Sequence, residues 1–226
     1  MTSAAAANGW LLFACRSSYT AEVAEIIWRR GENVEALIDN IDDPEEWPCD
    51  YAPVVSARDS ASRVSAMRSA VPLITPGFRF TAVEQLCALG ATRIESVIDP
   101  TSVVARSASI GAGSIINALC VVGANARLGE FVHLNRNASI GHDTHLADYT
   151  TIGPAAILAA YVSVKTGAFV GAGAVCAPKV TIGANSVVGA GSVVIHDVPD
   201  FAVVAGNPAR VIRTGEFGYG NASVPI

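Results

Sequence analysis

Charge is scarce in this chain. Charged residues make up 15% of its 226 residues against 51% hydrophobic ones, the balance of a core-rich globular protein and not of a disordered one. There is no basic excess either. A net charge of −5 and a pI near 5.3 exclude the electrostatic footprint of a nucleic-acid binder. Mean hydropathy is high at +0.40, yet polar residues or glycine break every apolar stretch before it could span a bilayer. Met1 to Asn8 lacks the basic start and apolar core of a signal peptide. Cys15, Cys49, Cys87, Cys120 and Cys176 are odd in number and scattered, with no CxxC pair. That argues against a disulfide framework or a thiolate zinc site, and for a reducing, cytoplasmic setting.

What charge there is lies unevenly. Residues 1–97 hold 8 Lys and Arg against 13 Asp and Glu, whereas residues 98–226 hold 7 against 7. The second part is rich in Gly, Ala, Val and Ile, and a domain boundary is expected near Val97. From Ile98 every sixth residue is aliphatic, apart from Cys176, through seventeen consecutive positions ending at Val194. Four residues after each stands a small or slim residue (Ala126, Ala138, Thr144, Thr150), and the position directly after the aliphatic one is often glycine (Gly111, Gly123, Gly141). Neither a period of 2 nor one of 3.6 produces this pattern. A short fixed repeat signals a β-solenoid. Three hexads make one triangular coil with the aliphatic residues stacked inward, and coils about 4.8 Å apart give a prism roughly 27 Å long.

Before the repeat, Trp10–Ala14, Val34–Ile38, Val71–Thr75 and Arg93–Val97 read as strands. Tyr19–Arg30 and Thr81–Leu89 read as helices, and an acidic loop runs from Asp42 to Pro53. The alternation predicts a small α/β, Rossmann-like sheet over 1–97, followed by the solenoid over 98–199 and a tail over 200–226. The turn after the first strand, Ala14–Thr20, contains no glycine. It reads either as an anion site formed by Arg16, Ser17 and Ser18 at a helix N-terminus, or as a plain turn capped by Ser18 or Thr20.

Three of the four histidines, His133, His142 and His145, lie in adjacent hexads. In the hexad frame His142 occupies a corner that points out of the prism, in one column with Ala160 and Pro178. A second corner column holds Pro154, Ala172 and Ala190. His133 and His145 fall elsewhere on the coil and read as polar corner or interface residues.

The hexads, the segment Leu134-Asn-Arg-Asn-Ala-Ser-Ile-Gly-His-Asp143 and the closing Val204-Ala-Gly-Asn-Pro-Ala-Arg-Val-Ile212 resemble the hexapeptide-repeat acyltransferases. Within these they are similar to the sialic-acid O-acetyltransferases and the bacillosamine and perosamine N-acetyltransferases. The resemblance implies a left-handed parallel β-helix, a homotrimer with sites between subunits, and acetyl-CoA as cosubstrate without a metal. It implies His142 as general base, Asp143 orienting it and Asn135 holding the acceptor. Amides near Ala160 would stabilise the oxyanion, and Thr151 stands where the family often has a second histidine. Ala172, Ala190, Lys179 and Arg210 would shape the cofactor groove. Asp39 matches an acidic residue that contacts a nucleoside.

Two places depart from the family pattern: Tyr19 lies near a loop histidine's place, and Asp99-Pro100 stands where another histidine is frequent. The acceptor implied is a nucleotide-linked amino sugar; the alternative is a free sugar, an amino acid or a natural-product intermediate. A metal site of the γ-carbonic-anhydrase kind needs histidine spacings that 133, 142 and 145 do not provide. A non-catalytic scaffold is the remaining alternative. Thr214–Ile226 carries no readable pattern.

Overall fold

The computed structural model describes residues 9–41, 51–215 and 217–226. Met1–Asn8 and most of the acidic loop expected over Asp42–Pro53 lie outside the described residues. The first part contains β1 (Trp10–Phe13), α1 (Thr20–Arg29), β2 (Val34–Asp39), β3 (Val54–Ser56), α2 (Ala61–Ala66), β4 (Arg68–Ala70) and α3 (Pro76–Ala88). The four strands form one parallel sheet in the order β3-β2-β1-β4.

Three expectations are corrected here. The strand read at Val71–Thr75 is instead Arg68–Ala70, whose Arg68 and Ser69 are buried polar residues that hide it from an apolar pattern. Arg68 is accommodated by an ion pair with Glu32 at 3.0 Å and by the face of Trp10, 4.6 Å away. α3 starts five residues earlier than expected because Pro76 sits at its first turn, where a missing N–H costs nothing. The strand read at Arg93–Val97 shrinks to one bridge between Ile94 and Ser69, and Val97 already belongs to the solenoid.

From β5 (Val97–Ile98) to β21 (Val193–Val194) the chain forms seventeen two-residue strands. Each ends on one of the aliphatic hexad positions. Residues eighteen apart pair in parallel, as His133 with Thr151, Ser139 with Ile157 and His145 with Ser163. Three flat faces result. The first contains β5, β8, β11, β14, β17 and β20, the second the β6 series and the third the β7 series. The fold is a left-handed parallel β-helix.

The aliphatic column from Ile116 to Val194 is buried, and so are the small residues four places on. Coil spacing explains the glycines. A Cβ on Gly123 would stand 2.7 Å from the His142 nitrogen, and one on Gly141 would stand 2.6 Å from the Ala160 nitrogen, so both must stay bare for the coils to stack. The first face continues past residue 199 through β22 (Val203–Gly206), parallel to β20, and ends in the antiparallel β23 (Ala209–Arg213).

The three faces differ outside. The first face is covered. Tyr19 packs its ring 4.6 Å from that of His133, and its hydroxyl accepts from Asn117 Nδ2 at 2.7 Å. Arg79 is fully buried and binds the carbonyls of Leu73, Ile74, Tyr149 and Thr150 and the Thr151 hydroxyl. Burial without an acidic partner lowers its guanidinium to about 9. Asp99, at the first coil, is clamped to Arg29 at 2.6 Å and accepts from Thr101.

The tail also lies on this face. Tyr219 stacks on Phe169 at 3.6 Å, and Val224 exchanges two backbone bonds with the Asn185 amide. The second face instead presents Val103, Val121, Ile157 and Val175 to solvent. The third presents Ser109, Arg127 and His145. Among the described residues no helix is long and apolar enough to cross a membrane.

His133 is a corrected reading, since it is neither a corner nor an exposed group. It is 1% exposed under Tyr19, and both ring nitrogens lack partners among the described residues. Burial, and secondarily Arg79, hold its pKa well below the ordinary 6.5. The unfolded chain therefore binds a proton that the folded one refuses. Stability should fall by about 1.4 kcal/mol per pH unit as pH drops below about 6.5. His133→Phe should remove that slope and gain about 1–3 kcal/mol at pH 7, because no buried nitrogen is left unpaired. Urea unfolding at several pH values reads both effects; an unchanged slope in the variant would assign the proton uptake to another group.

Candidate active site

His142 and Asp143 form the corner between the second and third faces. Asp143 has a left-handed backbone, φ 56°, as do the equivalent residues of neighbouring coils. That turn brings its carboxylate back onto the preceding ring, with His142 Nδ1 2.7 Å from Asp143 Oδ2. The His142 side chain is 55% exposed, so it reaches solvent and supports no core. Hydrogen bonds from His142, then from Asn125, hold the Asp143 carboxyl below the usual carboxylate range. A carboxylate can only accept, so the neutral ring carries its proton on Nδ1 and leaves a lone pair on Nε2. Tyr161, the next residue in the column, sets its ring edge-on to His142 at 5.2 Å. Asn125 and Tyr161 were not anticipated from the sequence. Their signal was the eighteen-residue period, which puts residues 125, 143 and 161 in one column.

The other anticipated residues divide between neighbouring and distant positions. Ala160 lies one coil above His142, and its amide donates to no protein group among the described residues. Lys179 stands one coil further along the same corner, with φ 66°. Ala172 and Ala190 line the corner between the first and second faces, and Asn135 begins that corner with its Oδ1 accepting from the Arg136 amide at 2.8 Å. Within one chain these three are a full face away from His142. Arg210 lies on β23 beside His196 and Asp197 in a pocket of about 360 Å³.

Thr151 requires a correction. It is completely buried on the first face, donating to the Ile74 carbonyl at 2.7 Å and accepting from Arg79 at 3.0 Å. Its hydroxyl is committed to holding the N-terminal part in place and is closed to a cofactor or a catalytic water.

Arg16, Ser17 and Asp39 gather at the carboxyl ends of β1 and β2, where parallel α/β sheets take ligands. Arg16 and Ser17 line a pocket of about 710 Å³ with Ser18, Asn40, Phe78 and Gln85. Ala14 enters this loop at φ 63°, taking the left-handed turn for which nucleotide-binding loops use glycine. Neither Ser18 nor Thr20 caps α1. The Thr20 hydroxyl donates to the Cys15 carbonyl, while Ser17 Oγ accepts from the Tyr19 amide. Arg16 binds Asp39 through Nε at 2.9 Å and through a terminal nitrogen at 2.8 Å. Among the described residues no three His, Cys, Asp or Glu side chains are grouped to hold a metal ion.

A parallel β-helix with an exposed histidine–aspartate pair at one corner, preceded by a small α/β part, is the arrangement of an acyl-transferring enzyme. No family model and no curated protein matches the chain. Among solved structures, it is similar to perosamine N-acetyltransferase from Caulobacter crescentus in complex with CoA and GDP-perosamine. That likeness has 31% identity and a TM-score of 0.82 over 91% of this chain and 97% of that one. That enzyme's histidine-to-asparagine variant gives a TM-score of 0.84 at 30% identity. The acetyltransferase domain of PglB from Neisseria gonorrhoeae, in complex with acetyl coenzyme A, is 28% identical with a TM-score of 0.82, over 91% of this chain and 99% of that one. The chain belongs to the hexapeptide-repeat sugar acetyltransferases.

Proposed function

We propose that the protein N-acetylates a nucleotide-linked amino sugar by direct transfer from acetyl-CoA, with His142 as the general base. The observation that carries this reading is the exposed His142–Asp143 pair on the acetyltransferase fold. His142 Nε2 takes a proton from the amine as its nitrogen attacks the thioester carbonyl, and it returns the proton to the departing sulfur. Asp143 keeps the ring oriented and favours the imidazolium while it exists. The Ala160 amide meets the oxyanion.

The bare second face gives the assembly its logic. Val103, Val121, Ile157 and Val175 form an exposed apolar face that runs from the His142 corner, where Tyr161 stands, to the opposite corner, where Leu119 stands. Covering it with a second subunit in a homotrimer would bring that subunit's Ala172–Ala190 corner and Asn135 towards His142. Lys179 and Arg210 lie at the end where cofactor phosphates would emerge. The wide pocket beside Arg16, Ser17 and Asp39 would take the nucleotide.

One observation favours a second reading. The charge of Arg16 is already neutralised by Asp39, which weakens its hold on a phosphate and fits a non-nucleotide acceptor. Calorimetric titration separates the two. Binding of acetyl-CoA and of GDP- or UDP-linked amino sugars is the expected result. Binding of acetyl-CoA alone would transfer the assignment to small amines and alcohols, and binding of neither would remove the enzyme reading.

A further inference from the structure

We infer that Asn125 is a positioning residue, whose amide fixes the Asp143 carboxylate and through it the tautomer and orientation of the His142 ring. The inference rests on the proposed role of His142 for its catalytic meaning. Asn125 stands one coil before Asp143 in the same corner, and the two backbones share the left-handed turn at φ 59° and 56°. Its Nδ2 donates to Asp143 Oδ1 at 3.1 Å, while the other oxygen of that carboxylate, Oδ2, meets His142. With one partner on each oxygen, the carboxylate cannot turn without losing a bond. The Asn125 backbone is itself anchored, its main-chain N–H donating to Ser107 Oγ at 3.0 Å. From the coil above, Tyr161 bears on the ring edge-on.

The residue type matters. Asparagine adopts a left-handed backbone at little cost and offers a neutral donor. Aspartate has the same shape but would set a second carboxylate against the first. The titratable and charged groups around the pair are Asp143 and Tyr161 on its own corner, and Arg127 and His145 in the polar groove of about 450 Å³ that Asn125 and Asp143 also line. Asp143 is thus the one carboxylate facing His142 among the described residues. Its hold on Nδ1 is what distinguishes this imidazole from a free one, which in water prefers the proton on Nε2.

The test is nitrogen-detected NMR of the His142 ring in the purified protein without substrate, the resonance assigned by its loss in His142→Gln. Wild-type protein should show the Nδ1–H form. Asn125→Ala should shift the ring towards Nε2–H. Alanine occupies the same turn at Ala155, φ 55°, so the fold tolerates it. Asn125→Asp should likewise shift the ring towards Nε2–H, because a second carboxylate in place of the amide donor repels Asp143 and frees it to turn from the ring. A wild-type tautomer in both variants would overturn the inference. Turnover by His142→Ala tests the base assignment separately, so the two ideas fail by different results.

Discussion

His142→Ala should lower acetyl transfer by a factor on the order of 10² to 10⁴ while leaving acetyl-CoA affinity nearly unchanged. The imidazole is more than half exposed and stabilises no packed element, so its loss should leave the β-helix intact. What disappears is the acceptor for the amine proton, a group needed only as the nitrogen attacks. The cofactor's long contact surface is expected to lie along the corner columns at Ala160, Ala172 and Ala190, and truncation at residue 142 leaves these in place. Single-turnover kinetics beside calorimetry separates rate from binding. A parallel loss of both would make His142 a binding residue and leave the base unassigned.

The second large effect is on stability. Arg79→Ala should cost about 3–5 kcal/mol, because it opens a cavity and strands the carbonyls of Leu73 and Tyr149, which among the described residues accept from Arg79 alone. The buried guanidinium ties the loop at Leu73–Ile74 to Tyr149, Thr150 and Thr151, across 72 residues to the last of these. The β-helix core beneath is built from its own hexads and should survive. The docked N-terminal part should not, and with it should go nucleotide binding, since Phe78, Thr81 and Ala82 of the same helix line that pocket. Acetyl-CoA binding should persist. Denaturant unfolding with limited proteolysis measures this; an unchanged transition would mean that Tyr19, Asp99 and the tail hold the docking without Arg79.

These contrasts follow how the information is distributed along the chain. Each β-helix coil stacks on one only eighteen residues away, so the six-residue period read from the sequence reappears as seventeen strands with their boundaries in place. The same period located the His142 corner and would have located Asn125. The N-terminal part was less legible because its determinants are non-local. β4 is built on Arg68 and Ser69, which make sense only beside Glu32 and Trp10. Thr151 looked like a site residue until α3 was placed over it, and the tail had no pattern because its anchors, Phe169 and Asn185, belong to other coils. The Arg16–Asp39 pair joins the ends of two strands 23 residues apart, and neither residue reveals the other in sequence.

The most direct test of the central claim is an assay of purified protein with acetyl-CoA and nucleotide-linked amino sugars, following thiol release and product mass together. The account predicts free thiol only when an acceptor is present, one acetyl group gained per thiol released, and a product stable to hydroxylamine, as an amide is. His142→Ala should slow it by a factor on the order of 10² to 10⁴. Thiol release without acceptor, a hydroxylamine-labile product, or equal rates in the variant would contradict direct transfer to an amine by a histidine base.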